Sequence, residues 1–152
     1  MQTGAIMEAT GARFAEAHLE ARVMARLAAA GHEVLGYDTV MPVFSVTQEA
    51  AALGCQVDWG HPLMMPGVRT HPFAEMQELR IPEGWLQAPS IQVVLEALRL
   101  LRQAYGERVV IVGKVMGPWS LSYDTLRCSG CCRNVGDVGL QSEHPTPRAV
   151  RV

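Results

Sequence analysis

Two helical patterns alternate with short runs of β-forming residues, and this alternation constrains the fold more than any other feature. In the first pattern, apolar residues recur at helical spacing from Val23 to Val34, and Gly36 ends the segment. The second pattern runs from Ser90 to Gly106. The β-forming runs are 5–7, 37–44 and 108–113. Strands that alternate with helices of this length pair in parallel through right-handed crossovers, so the sequence predicts an α/β fold.

Shorter elements lie between the two helices. Thr47 is predicted to cap a helix that ends at Leu53, and residues 55–59 to form a brief strand. Residues 60–89 are interrupted by prolines and are typical of an insertion that carries a function or a lid. Residues 116–119 are expected to form the turn after the third strand.

Composition excludes several classes of protein. The hydrophobic fraction of 49% and the charged fraction of 18% are typical of a globular domain with a buried core. A net charge of −2 provides no basic surface for nucleic acid. The sequence contains neither an apolar run long enough to cross a membrane nor a signal peptide pattern, so we expect a cytoplasmic protein.

The hydrophobic periodicity stops after Leu126, which divides the chain into residues 1–126 and a tail, 127–152. The tail contains Cys128, Cys131 and Cys132, with His144 as its only histidine. One cysteine pair is half of a zinc site, so the pattern favours a disordered tail over a metal centre. A frameshifted translation explains the tail better than a zinc site does, because a reading frame displaced by one base can encode Gly-Val-Gln-Asp-Val at the same place.

Several segments together resemble the uroporphyrinogen decarboxylase superfamily, and within it the methylcobamide:thiol methyltransferases. These segments are 7–12, 15–18, 42–50, 53–60 and 113–121. The resemblance implies a (β/α)₈ barrel of which residues 1–126 form the first, incomplete part. We therefore expect a truncated, corrinoid-dependent methyltransferase that is inactive alone.

Two departures from the decarboxylase pattern favour the methyltransferase branch. Decarboxylases of this superfamily bind the carboxylates of a tetrapyrrole with several arginines, whereas residues 7–18 contain only Arg13. They also carry an acidic residue after the second strand, where this chain has Ser45, Val46 and Thr47. A decarboxylase-like enzyme of porphyrin biosynthesis and a non-catalytic fragment that binds a partner remain the alternatives.

The resemblance also implies cofactors and partners. The methyltransferases use a zinc ion, held by a histidine and two cysteines in the later half of the barrel, to lower the pKa of the thiol that accepts the methyl group. We accordingly expect no metal ligands in this chain. The implied partners are a corrinoid protein or a small-molecule thiol, and the third strand, 108–112, offers an exposed edge for self-association.

Candidate pocket residues follow from the rule that barrel enzymes bind substrates at the C-terminal ends of their strands. Thr47 also fits a cap and Trp119 also fits a core residue, and no catalytic residue can be assigned. The five histidines are scattered and favour structural or surface roles. The candidates for a substrate or corrinoid pocket are Glu8, Phe44, Thr47, Met116, Trp119 and Tyr123.

Overall fold

The computed structural model describes residues 2–42, 44–61 and 64–127. Six α-helices and four two-residue strands are assigned in these residues, together with 3₁₀ turns at Met76–Glu78 and Trp85–Gln87. The helices are α1 (Gln2–Thr10), α2 (Phe14–Leu19), α3 (Ala21–Glu33), α4 (Thr47–Ala52), α5 (Pro89–Tyr105) and α6 (Pro118–Thr125). The strands are β1 (Thr39–Val40), β2 (Val57–Asp58), β3 (Gly67–Val68) and β4 (Val110–Ile111).

The core lies where α3 packs against α5, with α1 and α2 alongside. Alanines 25 and 28–30 form much of the buried face of α3, and their small side chains let neighbouring elements approach closely. Met24 of α3 and Leu101 of α5 are fully buried. Truncating either of these two side chains to alanine would cost about 2–5 kcal/mol of unfolding free energy.

The strands β1 and β4 form a parallel pair, in which Thr39 faces Val110 and Val40 faces Ile111. The N–H of Val112 donates to the carbonyl oxygen of Val40 at 2.9 Å. The predicted parallel βαβ arrangement is therefore confirmed for the second and third runs. Because the strands are parallel, the loops that follow them leave the same edge of the sheet.

The predicted first strand, Ala5–Met7, is wrong, since these residues lie within α1. Alanine and methionine are good helix formers, and Thr10 Oγ1 donates to the Ile6 carbonyl within the same helix. Met7 is buried against the core from this helix. A β-forming run becomes a strand only where a neighbour pairs with it.

The second predicted strand, 37–44, is shorter and less buried than expected. Among the described residues of this run only Thr39–Val40 pairs, and of residues 37–41 only Val40 is buried. Pro42 has no N–H to donate, which stops the ladder immediately beyond β1. The third run, 108–113, is likewise paired only at Val110–Ile111.

Hydrogen bonds join the insertion, 60–89, to the C-terminal end of α6. Phe73 donates its N–H to the Thr125 carbonyl at 3.2 Å, and Arg127 donates to the Phe73 carbonyl at 2.8 Å. His71 Nδ1 donates to the Asp124 carbonyl at 2.8 Å. Near the start of the insertion, β3 pairs with β2 in an antiparallel hairpin, and β2 lies within the brief strand predicted for residues 55–59. The described residues of the insertion otherwise form only the two short 3₁₀ turns before α5 begins, so the segment is largely irregular, in keeping with its prolines.

Among the described helices, none combines the length and the hydropathy that crossing a bilayer requires. The predictions for residues 128–152, including those for Cys128, Cys131, Cys132 and His144, lie outside the described residues.

Candidate substrate-binding site

The loops that follow β1 and β4 meet at one edge of the parallel pair, and Glu49 joins them. Glu49 lies on α4, the helix that follows the β1 loop. Its Oε1 accepts a hydrogen bond of 3.0 Å from the backbone N–H of Met116 in the β4 loop. The second carboxylate oxygen, Oε2, is buried and has no hydrogen-bond partner among the residues that the structure describes. A single side chain thus fixes the spacing of two loops at the edge where barrel enzymes bind substrates.

An aromatic cluster lies beside this junction. Phe44, in the β1 loop, has its ring centroid 6.0 Å from that of Phe14 and 6.3 Å from the His18 imidazole. The Trp59 ring lies 6.4 Å from His18 on another side. Phe44 and Trp59 are half-buried, whereas His18 is 1% exposed. The cluster therefore offers apolar ring surface around one buried imidazole.

Hydrogen bonds fix the orientation of the His18 ring. Its Nδ1 lies 2.5 Å from the Phe14 carbonyl oxygen, and its own carbonyl accepts a bond of 3.0 Å from Gln48 Nε2. Burial lowers the pKa of His18, because the charged imidazolium would lose its hydration, and the bond to Phe14 opposes this effect. The imidazole is therefore neutral at pH 7.

Thr47 is buried, but it is not the cap that its position suggested. The N-cap of α4 is Val46, and Thr47 is the first helical residue. The Oγ atoms of Ser45 and Thr47 lie 3.0 Å apart, and the Thr47 N–H donates weakly to Ser45 Oγ at 3.5 Å. The capping prediction is wrong because the chain enters the helix one residue earlier, so Ser45 supplies the acceptor.

Three of the other predicted pocket residues lie at the surface. Glu8 is exposed on α1. Trp119 and Tyr123, on α6, are 85% and 56% exposed. Trp119 is therefore not a core residue in the described structure. The structure brings the loops of Phe44 and Met116 together through α4, and a pocket role for all six candidates stays a prediction.

Sequence reasoning did not identify the residues that organise this edge. It gave His18 a structural or surface role and singled out neither Gln48 nor Glu49. The only signal in the sequence was their position, since Gln48 and Glu49 lie in the first turn of the helix that follows the β1 loop. Their bonds reach His18 and Met116, which are distant in the chain.

A second polar cluster lies at the end of α6, away from the strand ends. Cys55 Sγ donates to the Asp124 carbonyl at 3.4 Å. Burial, aided by the Asp124 charge, raises the pKa of the Cys55 thiol to about 11. Burial also raises the pKa of Asp124, and the nearby His71 opposes that effect. At neutral pH Cys55 is thus a protonated thiol and a poor nucleophile.

The described residues do not fit the zinc ion that the resemblance implies. Within the ranges 2–42, 44–61 and 64–127, no three His, Cys, Asp or Glu side chains are placed to hold a metal. Cys55, a residue of a zinc-binding type, instead donates its Sγ–H to the Asp124 carbonyl.

Comparison with known proteins gives consistent matches. The family model described as uroporphyrinogen decarboxylase (URO-D) matches residues 1–130. Methylcobamide:CoM methyltransferase MtbA of Methanosarcina acetivorans is 38% identical over 117 residues, which are 76% of this chain and 34% of the relative. Methylcobamide:CoM methyltransferase MtaA of Methanosarcina barkeri is 33% identical over 128 residues, which are 82% of this chain and 38% of the relative.

A solved structure, a methyltransferase from Methanosarcina mazei, superposes on the chain with a TM-score of 0.76 at 34% identity. The superposition covers 80% of this chain and 36% of that one. The chain thus spans little more than a third of the length of the relatives that it matches. The fold is that of part of a barrel, as the sequence predicted.

Proposed function

Because the chain belongs to the uroporphyrinogen decarboxylase family, we propose that it forms part of the substrate-binding end of a barrel that transfers a methyl group from a corrinoid to a thiol. The observation that carries this proposal is the identity of 38% and 33% to two methylcobamide:CoM methyltransferases. The joined loops after β1 and β4 support it, since they lie at the edge where this class of barrel binds substrates.

In the proposed reaction a thiolate sulfur attacks the methyl carbon of the corrinoid. The S–C bond forms as the Co–C bond breaks, and both electrons of the Co–C bond remain on cobalt. The family resemblance implies that zinc generates the thiolate, and the described residues supply no ligands for it. Their part is to bind and orient the corrinoid, which a methyl transfer requires because the reacting atoms must be aligned.

Two features of the described residues suit that part. Phe14, Phe44 and Trp59 are partly exposed aromatic rings around His18 and offer apolar contact area to a macrocycle. Glu49 fixes the Met116 loop beside it through the bond to the Met116 N–H. A ligand that covers this surface would exclude water from the edge of the sheet, which strengthens the polar interactions beneath.

Decarboxylation of a tetrapyrrole is the second candidate, and the description of the matching family model favours it. Its substrate carries several carboxylates, and each needs a cationic partner. The loop between α1 and α2 offers Arg13 alone. Neither relative named above is described as a decarboxylase. We therefore place this candidate second.

Ligand titration of the purified 152-residue chain separates these two candidates. We expect methylcobalamin to quench tryptophan fluorescence saturably, and a carboxylated porphyrin to bind much more weakly. Phe44→Ala should weaken corrinoid binding, whereas Phe73→Ala, in the insertion, should not. Preferential binding of the porphyrin would favour decarboxylation.

Turnover assays distinguish a catalytic chain from a fragment that only binds. Since the chain covers 34% to 38% of its relatives, we propose that methyl transfer requires further barrel residues. We expect no loss of the methylcobalamin spectrum when a thiol is added to the 152-residue chain. Turnover together with one zinc ion per chain would contradict this part of the proposal.

A further inference from the structure

Two fully buried side chains at the candidate site each have a polar atom without a partner. His18 and Gln48 are both 1% exposed. Within the described residues, neither His18 Nε2 nor Gln48 Oε1 has a hydrogen-bond partner. The two residues are in direct contact, because Gln48 Nε2 donates to the His18 carbonyl at 3.0 Å. An unmet buried polar atom lowers stability, so two of them in contacting residues require an explanation.

The existing bonds determine what each unpartnered atom can do. The Phe14 carbonyl can only accept, so His18 Nδ1 carries the proton. In the neutral ring Nε2 is then a bare acceptor. The His18 carbonyl likewise requires the Gln48 amide nitrogen as its donor, which leaves Gln48 Oε1 as an acceptor. Both unpartnered atoms therefore need a hydrogen-bond donor.

The surroundings restrict the donor further. Phe14, Phe44 and Trp59 pack around the His18 imidazole with ring centroids at 6.3 to 6.4 Å. A charged donor would lose its hydration among these rings without a counter-charge on His18, whose ring is neutral. A neutral donor avoids that cost. Phe44 and Trp59 are half-buried, so His18 lies directly beneath residues that reach the surface.

We propose that His18 Nε2 and Gln48 Oε1 accept hydrogen bonds from a primary carboxamide of the ligand. A primary amide is neutral and carries two N–H hydrogens, which matches two acceptors in number. The inference rests on the proposed function, because a corrin ring carries carboxamide side chains on its periphery. His18 and Gln48 are then specificity-determining residues that distinguish an amidated corrinoid from a carboxylated tetrapyrrole, whose carboxylates have no hydrogen to donate.

The first test uses variants of the 152-residue chain in a cyanocobalamin titration followed by absorbance. His18→Asn keeps a donor near the position of Nδ1 and removes Nε2, and Gln48→Met removes the amide. Each should weaken binding by roughly tenfold, the usual effect of one lost hydrogen bond. His32→Asn is the matched control, because His32 also directs Nδ1 to a carbonyl, that of Tyr37, but is not fully buried.

The second test observes Nε2 directly by NMR of ¹⁵N-histidine-labelled chain. Cyanocobalamin and acetamide should both shift the His18 Nε2 resonance, whereas N,N-dimethylacetamide, which has no N–H, should not. Methylammonium serves as the charged donor and should have less effect than acetamide. A Nε2 resonance that no amide moves would overturn the inference. This readout does not depend on folding of a variant.

The outcomes separate this inference from the proposed function. If cyanocobalamin binds the wild-type chain and both variants equally, the inference is wrong and the proposed function stands. If cyanocobalamin does not bind but acetamide shifts Nε2, the carboxamide site stands and the corrinoid proposal fails. If neither ligand has an effect, both are wrong.

Discussion

The carboxylate of Glu49 and the backbone N–H of Met116 form a hydrogen bond of 3.0 Å across the loops that follow two parallel strands. Glu49 approaches from α4, which starts just after the β1 loop, and Met116 lies between β4 and α6. The bond spans 67 positions of the chain. One side chain therefore couples the geometry of two loops that we propose to bind substrate.

The first prediction concerns this bond. Glu49→Ala should leave the Met116 N–H without its acceptor and lower the free energy of unfolding by about 1–3 kcal/mol. Glu49→Gln keeps an acceptor oxygen and should lose much less. Urea unfolding measures the stability, and hydrogen exchange at the Met116 amide should accelerate in the alanine variant alone.

A surface glutamate provides the control for that experiment. Glu96→Ala removes an exposed ion pair with Arg99, in which the charged atoms are 3.1 Å apart. Exposed pairs of this kind contribute about 0–1 kcal/mol. Equal losses in Glu49→Ala and Glu96→Ala would show that the Glu49 bond stabilises nothing beyond an ordinary surface contact.

The second prediction concerns the pH dependence that His18 imposes. Burial lowers its pKa below the ordinary value of 6.5. As pH falls through 6.5, the unfolded chain binds a proton at this residue before the folded chain does, so the stability that depends on neutral His18 decreases. His18→Asn should remove this loss, and its unfolding free energy should fall less than that of wild type between pH 7.5 and 5.5.

Urea unfolding of both proteins at matched pH values measures that difference. Asp124, whose pKa is raised by burial, acts in the opposite direction at lower pH and is present in both proteins. It therefore cancels in the comparison. Parallel pH profiles for wild type and His18→Asn would contradict the prediction.

The two long helices, α3 and α5, and the parallel pairing were predictable because their signals are local. The apolar spacing of α3 and α5 specifies which face each helix buries, and Gly36, with φ of 71°, allows the chain to turn after α3. The alternation of helix and strand then predicts the parallel pairing of β1 with β4.

Strand lengths and the first segment were not predictable, because strands depend on neighbours that the sequence does not show. Ala5–Met7 lies in a helix although its residues are as apolar as those of a strand. At the candidate site, the sequence led to Phe44 and Met116 as pocket candidates because each follows a predicted strand. His18 and Gln48 did not, because their bond spans 30 positions and exists only in the folded chain.

The third prediction concerns Gly60, which has a φ of 79°. A Cβ at this position would lie 2.5 Å from the Met64 carbonyl oxygen, which is backbone and cannot move aside cheaply. Gly36 also has a positive φ, but a Cβ there meets nothing within 4 Å. Gly36→Ala should therefore cost only the backbone penalty, about 1–2 kcal/mol. Gly60→Ala should cost more, which thermal unfolding followed by circular dichroism can measure, and equal melting temperatures would contradict this.

The last prediction is that the 152-residue chain self-associates through β4. Within the described residues, β4 pairs on one side only, with β1. The N–H of Val110 and that of Val112 point toward β1, so the N–H of Ile111 faces the other side. Val110 is 62% exposed, and Val115, which follows the strand, is 84% exposed. An apolar strand with a free edge is a template for pairing with a second copy.

Sedimentation velocity over a range of concentrations tests this prediction with charge variants. Val110→Lys places a charge on the edge strand and should shift the chain toward monomer, because pairing would bring like charges together. Val34→Lys is the control, since Val34 is 55% exposed at the C-terminal end of α3 and is not part of a strand. It should associate as wild type does. A wild-type chain that stays monomeric at all concentrations, or two variants that behave alike, would show that this edge does not mediate association.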